Sequence, residues 1–185
     1  MSRYLRPRLP DTPIFFTVTL AERGSRLLIE HIEDLRNAVR VTRAERPFGI
    51  AAWVVLPDHL HCIWQLPEGD SDYSTRWRLI KSRFSRTVPT GPLRDSHILR
   101  NERGVWQRRF WEHHIRNDED FAAHMRYCWF NPMKHGLVAQ PEDWPYSSFR
   151  RDKDAGVGCV FTRTVGTGGD GGWCVRARTL RLLDD

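Results

Sequence analysis

Apolar positions along the chain follow two rhythms, and the switches between them predict its elements. Residues 14–20 (Ile-Phe-Phe-Thr-Val-Thr-Leu) are β-branched and aromatic and read as a first strand. Ile32, Leu35 and Val39 then recur at helical spacing, with Arg36, Arg40 and Arg43 on other faces. That pattern predicts an amphipathic helix over 30–45, stopped by Pro47. Residues 48–56 are almost continuously apolar, as in a buried strand. Pro57-Asp58 makes a turn, and residues 59–66 return as the second arm of a hairpin. Leu60, Cys62, Trp64 and Leu66 share one face of that arm, and His59 and His61 share the other.

Downstream, Ser74 is placed to cap a helix reaching Val88, with Trp77, Ile80 and Phe84 inward. Residues 105–115 read as a fourth strand. Asn117 or Asp118 caps the next helix, whose first turn is acidic as its dipole favours. Phe121, Met125, Cys128 and Trp129 form its apolar stripe, and Asp120, His124, Tyr127 and Asn131 a polar one. Pro132 predicts an end or a kink at Asn131. Residues 136–149 suggest an irregular packed segment. The chain then divides: 1–150 form one domain, and 151–185 a glycine-rich tail to which no structure is assigned.

The element order is β-α-β-β-α-β followed by a helix. It predicts an α+β fold, a ferredoxin-like split βαβ antiparallel sheet with helices on one face. The histidines of the third strand then look onto the other face, where the last helix can lie across them.

Charge narrows the partner. The net charge is +6, yet residues 141–185 balance at 7 basic and 7 acidic side chains. The excess therefore lies before residue 141. Residues 76–116 alone hold 11 basic against 3 acidic side chains, with Trp77, Phe84, Trp106, Phe110 and Trp111 interleaved. Guanidinium forks suit phosphates and aromatic faces suit bases, so a nucleic acid is the expected partner. Arg76, Lys81, Arg83, Arg86, Arg108 and Arg109 are the candidate DNA contacts. No apolar run approaches the roughly 20 residues of a membrane span, no signal peptide is read, and the cysteines show no disulfide spacing. A reduced, cytoplasmic protein without membrane partners is expected.

Two imidazoles on one strand face make half of a metal site, or a pair of hydrogen-bonded sheet residues. The polar stripe carrying Tyr127 and Asn131 favours the first reading. A divalent cation can take two imidazoles and an amide oxygen and keep positions open for a phosphate. A tyrosine oxygen attacking phosphorus in line would then form a covalent phosphotyrosine, conserving the bond for later rejoining. A phenol ordinarily titrates near pH ~10, so its proton must be removed; His124 is a candidate base.

Several pieces now fall into a known order: Leu56-Pro57-Asp58-His59-Leu60-His61, Trp106-Gln107-Arg108-Arg109-Phe110-Trp111-Glu112-His113, Ile115-Arg116-Asn117, Tyr127-Cys128-Trp129-Phe130-Asn131-Pro132-Met133-Lys134-His135-Gly136-Leu137-Val138, and Trp144-Pro145-Tyr146-Ser147-Ser148. Over residues 13–150 the chain resembles the REP-associated tyrosine transposases, which are single-tyrosine His-hydrophobic-His enzymes. The resemblance implies a Mg²⁺ or Mn²⁺ ion held by His59, His61 and Asn131, and Tyr127 as nucleophile. It also implies cleavage and rejoining of single-stranded DNA at palindromic hairpins through a 5′-phosphotyrosine, by a monomer or homodimer. A non-catalytic hairpin-binding protein on the same fold is the alternative. The chain departs from the family's usual motifs at Leu56-Pro57-Asp58 and at Asp11-Thr12-Pro13-Ile14.

Overall fold

The computed structural model describes residues 11–90, 93 and 102–155. Its sheet has four antiparallel strands in the order β2-β3-β1-β4, the order of a split βαβ fold. They are β1 (Ile14–Thr19), β2 (Gly49–Val55), β3 (His59–Gln65) and β4 (Trp111–His114). Helices α1 (Leu27–Glu30) and α2 (Ile32–Glu45) join β1 to β2, and α3 (Tyr73–Thr87) follows β3. Helix α4 (Asp118–Lys134) follows β4, and α5 (Phe149–Asp154) closes the described chain after a 3-10 turn at Pro141–Asp143. No described helix is long and apolar enough to cross a membrane.

The alternation of β3 decides which layer covers which face. Leu60, Cys62, Trp64 and Leu66 pack against Leu35 and Val39 of α2 and Trp77, Ile80 and Phe84 of α3. On the opposite face, Phe15, Ala52, Val54 and Ile63 pack against Met125, Cys128 and Trp129 of α4. The apolar stripe of α4 therefore roofs the face on which His59 and His61 stand, as the element order suggested. Cys62 and Cys128 are both buried, and burial pushes both thiols up.

The hairpin closes through Leu56 N–H donating to His59 O across Pro57-Asp58. Asp72, rather than Ser74, caps α3, its side chain accepting from Thr75 N–H at 3.1 Å. Asn117 caps α4 in the same way on Asp120 N–H at 2.9 Å.

Two further expectations are corrected. The fourth strand is far shorter than residues 105–115. An isolated bridge joins Leu20 to Trp106, but the ladder resumes only at Thr17 opposite Trp111. This side thus holds two residues more than β1 offers, and the chain bulges out around 107–110. Helix α4 also passes through Pro132 and ends at Lys134. Its end is a Schellman motif: Gly136 N–H donates to Met133 O and Leu137 N–H to Pro132 O. Gly136 adopts the left-handed φ of 65° that this cap requires.

The segment after α4 lies along the free edge of β2. Val55 N–H donates to Tyr146 O and Ser148 N–H to Trp53 O, each at 2.8 Å. Helix α5 crosses position 150 and is anchored by Asp152, which accepts from Trp129 Nε1 and Ser148 Oγ. Beyond residue 155 the expected tail lies outside the described residues.

Candidate functional site

His59 and His61 are both buried beneath α4 with their rings 5.1 Å apart. Each is held by its Nδ1. Asp58 Oδ1 lies 2.6 Å from Nδ1 of His59, and Thr17 Oγ1 lies 2.9 Å from Nδ1 of His61. Thr17 is the cross-strand partner of His61, so the sheet register itself supplies that contact. The Asp58 carboxylate can only accept, so it puts the His59 proton on Nδ1 and leaves Nε2 as the basic nitrogen, the arrangement of a metal-ligating imidazole, and the Thr17 hydroxyl can hold His61 the same way by accepting from its Nδ1. His61 Nε2 is buried and has no hydrogen-bond partner. Burial first, then His59, His135 and Lys134 beside it, pushes His61 down to about 3, so the ring is neutral near neutral pH.

Asp58 does more than turn the chain. Its other oxygen accepts from Gly24 N–H at 2.9 Å and lies 3.3 Å from Arg23 Nε. Burial works against ionisation here, but the hydrogen bonds from His59 and Gly24 and the nearby positive charge outweigh it. The carboxyl is held below its ordinary value.

Helix α4 brings the other groups. The Tyr127 ring centre is 5.0 Å from that of His61, and the side chain is 39% exposed, so a reacting group can reach it. One turn further on, Asn131 is almost completely buried, and neither its Oδ1 nor its Nδ2 has a partner. Buried amides without partners are rare and need a reason. Asn131 Oδ1 and the orphan Nε2 of His61 are lone-pair atoms that a bound cation would satisfy. Two imidazole nitrogens and an amide oxygen are a fitting donor set for a divalent ion.

Several contributors were not foreseen from the sequence. Phe15 is buried beneath the site, stacked on His61 and edge-on to Tyr127. The His135 ring, just past the end of α4, is 5.2 Å from that of His59. Lys134 Nζ sits 5.4 Å from the Tyr127 ring centre. Only Asp58 left a local signal, a carboxylate next to a candidate ligand histidine. The others depend on long-range packing.

His124, the candidate base, packs on the same Phe15 ring, 4.6 Å between centroids, with its Nδ1 turned to Asp120. Its Nδ1 lies 2.8 Å from Asp120 O and 3.1 Å from Asp120 Oδ1, and its ring stacks on His113. His113, Asp120 and His124 have ligand atoms within 4.8 Å of one another, the spacing of a metal group. Asp120 is already engaged, however: His113 Nε2 lies 2.8 Å away, and the Arg116 amide and guanidinium approach the same oxygen. The cluster ties β4 to the start of α4.

The candidate DNA contacts divide. Arg76 is buried, and its guanidinium donates to Arg46 O, Asp72 O, Pro47 O and Asp70 Oδ2, so these donors are used within the fold. Arg83 is bound to Thr42 and Glu45, Lys81 to Gln107 O, and Arg108 to Glu102. Arg86 and Arg109 are exposed.

No family model matches the sequence. A REP-associated tyrosine transposase of Escherichia coli (strain K12) is 47% identical over 157 residues, covering 85% of this chain and 88% of that protein. A relative from Haemophilus influenzae is 42% identical over 159 residues, covering 85% of this chain and 90% of its own. Among solved structures, a REP-associated tyrosine transposase bound to a REP hairpin matches with a TM-score of 0.73 at 41% identity, over 98% of this chain and 99% of that one. With that identity spread over almost the whole of its relatives, the chain belongs to the REP-associated tyrosine transposases.

Proposed function

We propose that the protein cleaves and rejoins single-stranded DNA beside a REP-type hairpin, using Tyr127 as nucleophile. The supporting observation is that the Tyr127 ring meets His61, which stands beside His59 with both Nδ1 atoms held, while one turn further along the same helix Asn131 is buried with no partner of its own. His59, His61 and Asn131 are the residues that would hold a divalent cation such as Mg²⁺ or Mn²⁺. When bound, that ion supplies Lewis-acid stabilisation of the charge that builds on a scissile phosphate.

The chain's own residues do the rest. The Tyr127 phenol gives up its proton at the exposed edge of the site, and its oxygen bonds to phosphorus. The bond from phosphorus to the 3′-oxygen breaks, leaving a 5′-phosphotyrosine and a free 3′-hydroxyl once that oxygen is protonated. Attack by a 3′-hydroxyl on the same phosphorus reverses the step and restores the tyrosine. Lys134, beside the Tyr127 ring, is placed to neutralise an arriving phosphate. The hairpin as substrate is inferred from the solved relative, which is bound to one.

The test is trapping. A labelled REP hairpin with single-stranded flanks and Mn²⁺ should give a DNA–protein adduct that survives SDS and is absent from Tyr127→Phe. Cleavage without an adduct would remove the tyrosine from the mechanism. Tight binding with no cleavage would return the protein to a hairpin-binding role.

A further inference from the structure

We infer that Trp111 is a stacking platform for an unpaired base of the DNA strand that enters the site. The inference rests on the function proposed above and names a subsite of it.

Trp111 begins β4, an edge strand of the sheet. It is 54% exposed, the most exposed large hydrophobic side chain among the described residues. An exposed indole on a soluble surface gives up a large hydrophobic gain, and this one is not isolated. Opposite it stands Thr17, whose hydroxyl contacts His61, and cross-strand pairs point to the same side of a sheet. Trp111 therefore rises on the face that carries His59 and His61.

Its surroundings fix its orientation. The indole lies parallel to the His113 ring, with centroids 5.9 Å apart and planes at 8°. Its edge meets Phe15 at 5.8 Å, and the Tyr127 ring meets Phe15 at the same 5.8 Å. The two exposed aromatic side chains of this face are thus separated by one buried ring. His113 is tied down by Asp120, so the indole is backed by an anchored ring. Arg109, two residues before it, is exposed and suits a phosphate backbone. A flat, supported aromatic face is what a single strand can stack on, because every base offers a π-face. A base resting there would belong to the nucleotides next to the phosphate held at Tyr127, and would keep that strand extended toward the nucleophile.

The test compares two REP hairpin oligonucleotides, one with single-stranded flanks and one without, by fluorescence anisotropy in metal-free buffer. Trp111→Ala should weaken binding of the flanked hairpin roughly 5- to 150-fold, the range of one base–aromatic stack, and leave the flankless hairpin unchanged. Trp111→Phe should keep most of the affinity. A single abasic position in the flank should reproduce the loss in the wild type and add nothing to Trp111→Ala. Equal losses on both hairpins, or none on either, would overturn the assignment. The adduct assay on the wild type separates the two failures: an adduct with no flank effect sinks only the platform, and no adduct sinks the mechanism itself.

Discussion

Replacing Asp58 by Asn tests the construction of the site more sharply than removing a ligand. The carboxylate serves two sets of donors: Oδ1 takes His59 Nδ1–H at 2.6 Å, and Oδ2 takes Gly24 N–H at 2.9 Å with Arg23 close by. An amide has one acceptor oxygen. Whichever way the substituted side chain turns, its NH₂ faces a donor that has lost its acceptor. If NH₂ faces Gly24, the loop loses a bond and the variant loses about 1–3 kcal/mol of stability. If NH₂ faces His59, the ring must move its proton to Nε2 to accept at Nδ1, which removes the nitrogen a metal needs. Loss of such an outer carboxylate typically costs about 10- to 100-fold in metal affinity, or roughly 1.4–2.8 kcal/mol. Mn²⁺ titration followed by electron paramagnetic resonance reads the affinity directly, and urea unfolding reads the stability. Asp58→Asn should either bind Mn²⁺ at least tenfold more weakly or unfold about 1–3 kcal/mol more easily, and Tyr127→Phe should bind Mn²⁺ as the wild type does. Wild-type Mn²⁺ affinity together with wild-type stability in Asp58→Asn would reduce Asp58 to a turn residue and refute the argument.

Other outcomes follow from the same contacts. The Asp120 carboxyl is held far below its ordinary range, because hydrogen bonds from His113 and Arg116 outweigh the burial that opposes ionisation. A depressed carboxylate stabilises the fold above its unfolded pKa of about 3.9. Asp120→Asn should therefore be destabilised at pH 7, and its deficit in urea unfolding should shrink as pH falls below about 4. Arg76→Met should cost about 3 kcal/mol, because it leaves Asp70 and three carbonyls without their buried donor. The folded remainder should bind hairpin DNA with unchanged affinity, as an anisotropy titration would show. Gly136→Ala meets no neighbouring atom within 4 Å, so its cost is that of a left-handed alanine alone, roughly 1–2 kcal/mol in thermal unfolding.

The residues that were legible in the sequence are those whose role follows from local periodicity. Alternation in β3 puts His59 and His61 on one face, and the two stripes of α4 separate Tyr127 and Asn131 from Met125 and Cys128. Strand order followed because each β-α-β unit has few ways to close. What was illegible depends on meetings between distant positions. Thr17 reaches His61 only through a register of β1 on β3, and Phe15 becomes the floor of the site only once α4 crosses the sheet. Arg76 looked like its basic neighbours, since an arginine on a helix wheel does not reveal that Asp70, Arg46 and Pro47 will surround it. The fourth strand misled for a related reason. Residues 105–115 have strand composition, but between the Trp106 bridge and the Trp111 pair they hold two residues more than β1 does, so 107–110 bulge out of the ladder. Pro132 misled in the opposite sense. Losing one N–H late in α4 is tolerated because the Schellman closure at Gly136 secures the carbonyls that follow.

The exposure pattern of the site carries an argument about mechanism. The groups assigned to hold a metal are buried, with relative exposures of 7% for His59, 3% for His61 and 1% for Asn131. Tyr127, one turn from Asn131 on the same helix, is 39% exposed. A cation holder benefits from rigidity, since each ligand's geometry must be fixed before the ion arrives. A nucleophile that becomes covalently attached to a DNA end, and later releases it, needs room for the strand on both occasions. The chain meets both demands by seating α4 through Met125, Cys128 and Trp129 and letting the Tyr127 position fall at the margin of that contact. A rotation of α4 by one residue, about 100°, would bury the phenol or expose the amide. Under the proposed mechanism, the apolar stripe of this helix therefore decides which polar side chain would be ligand and which nucleophile.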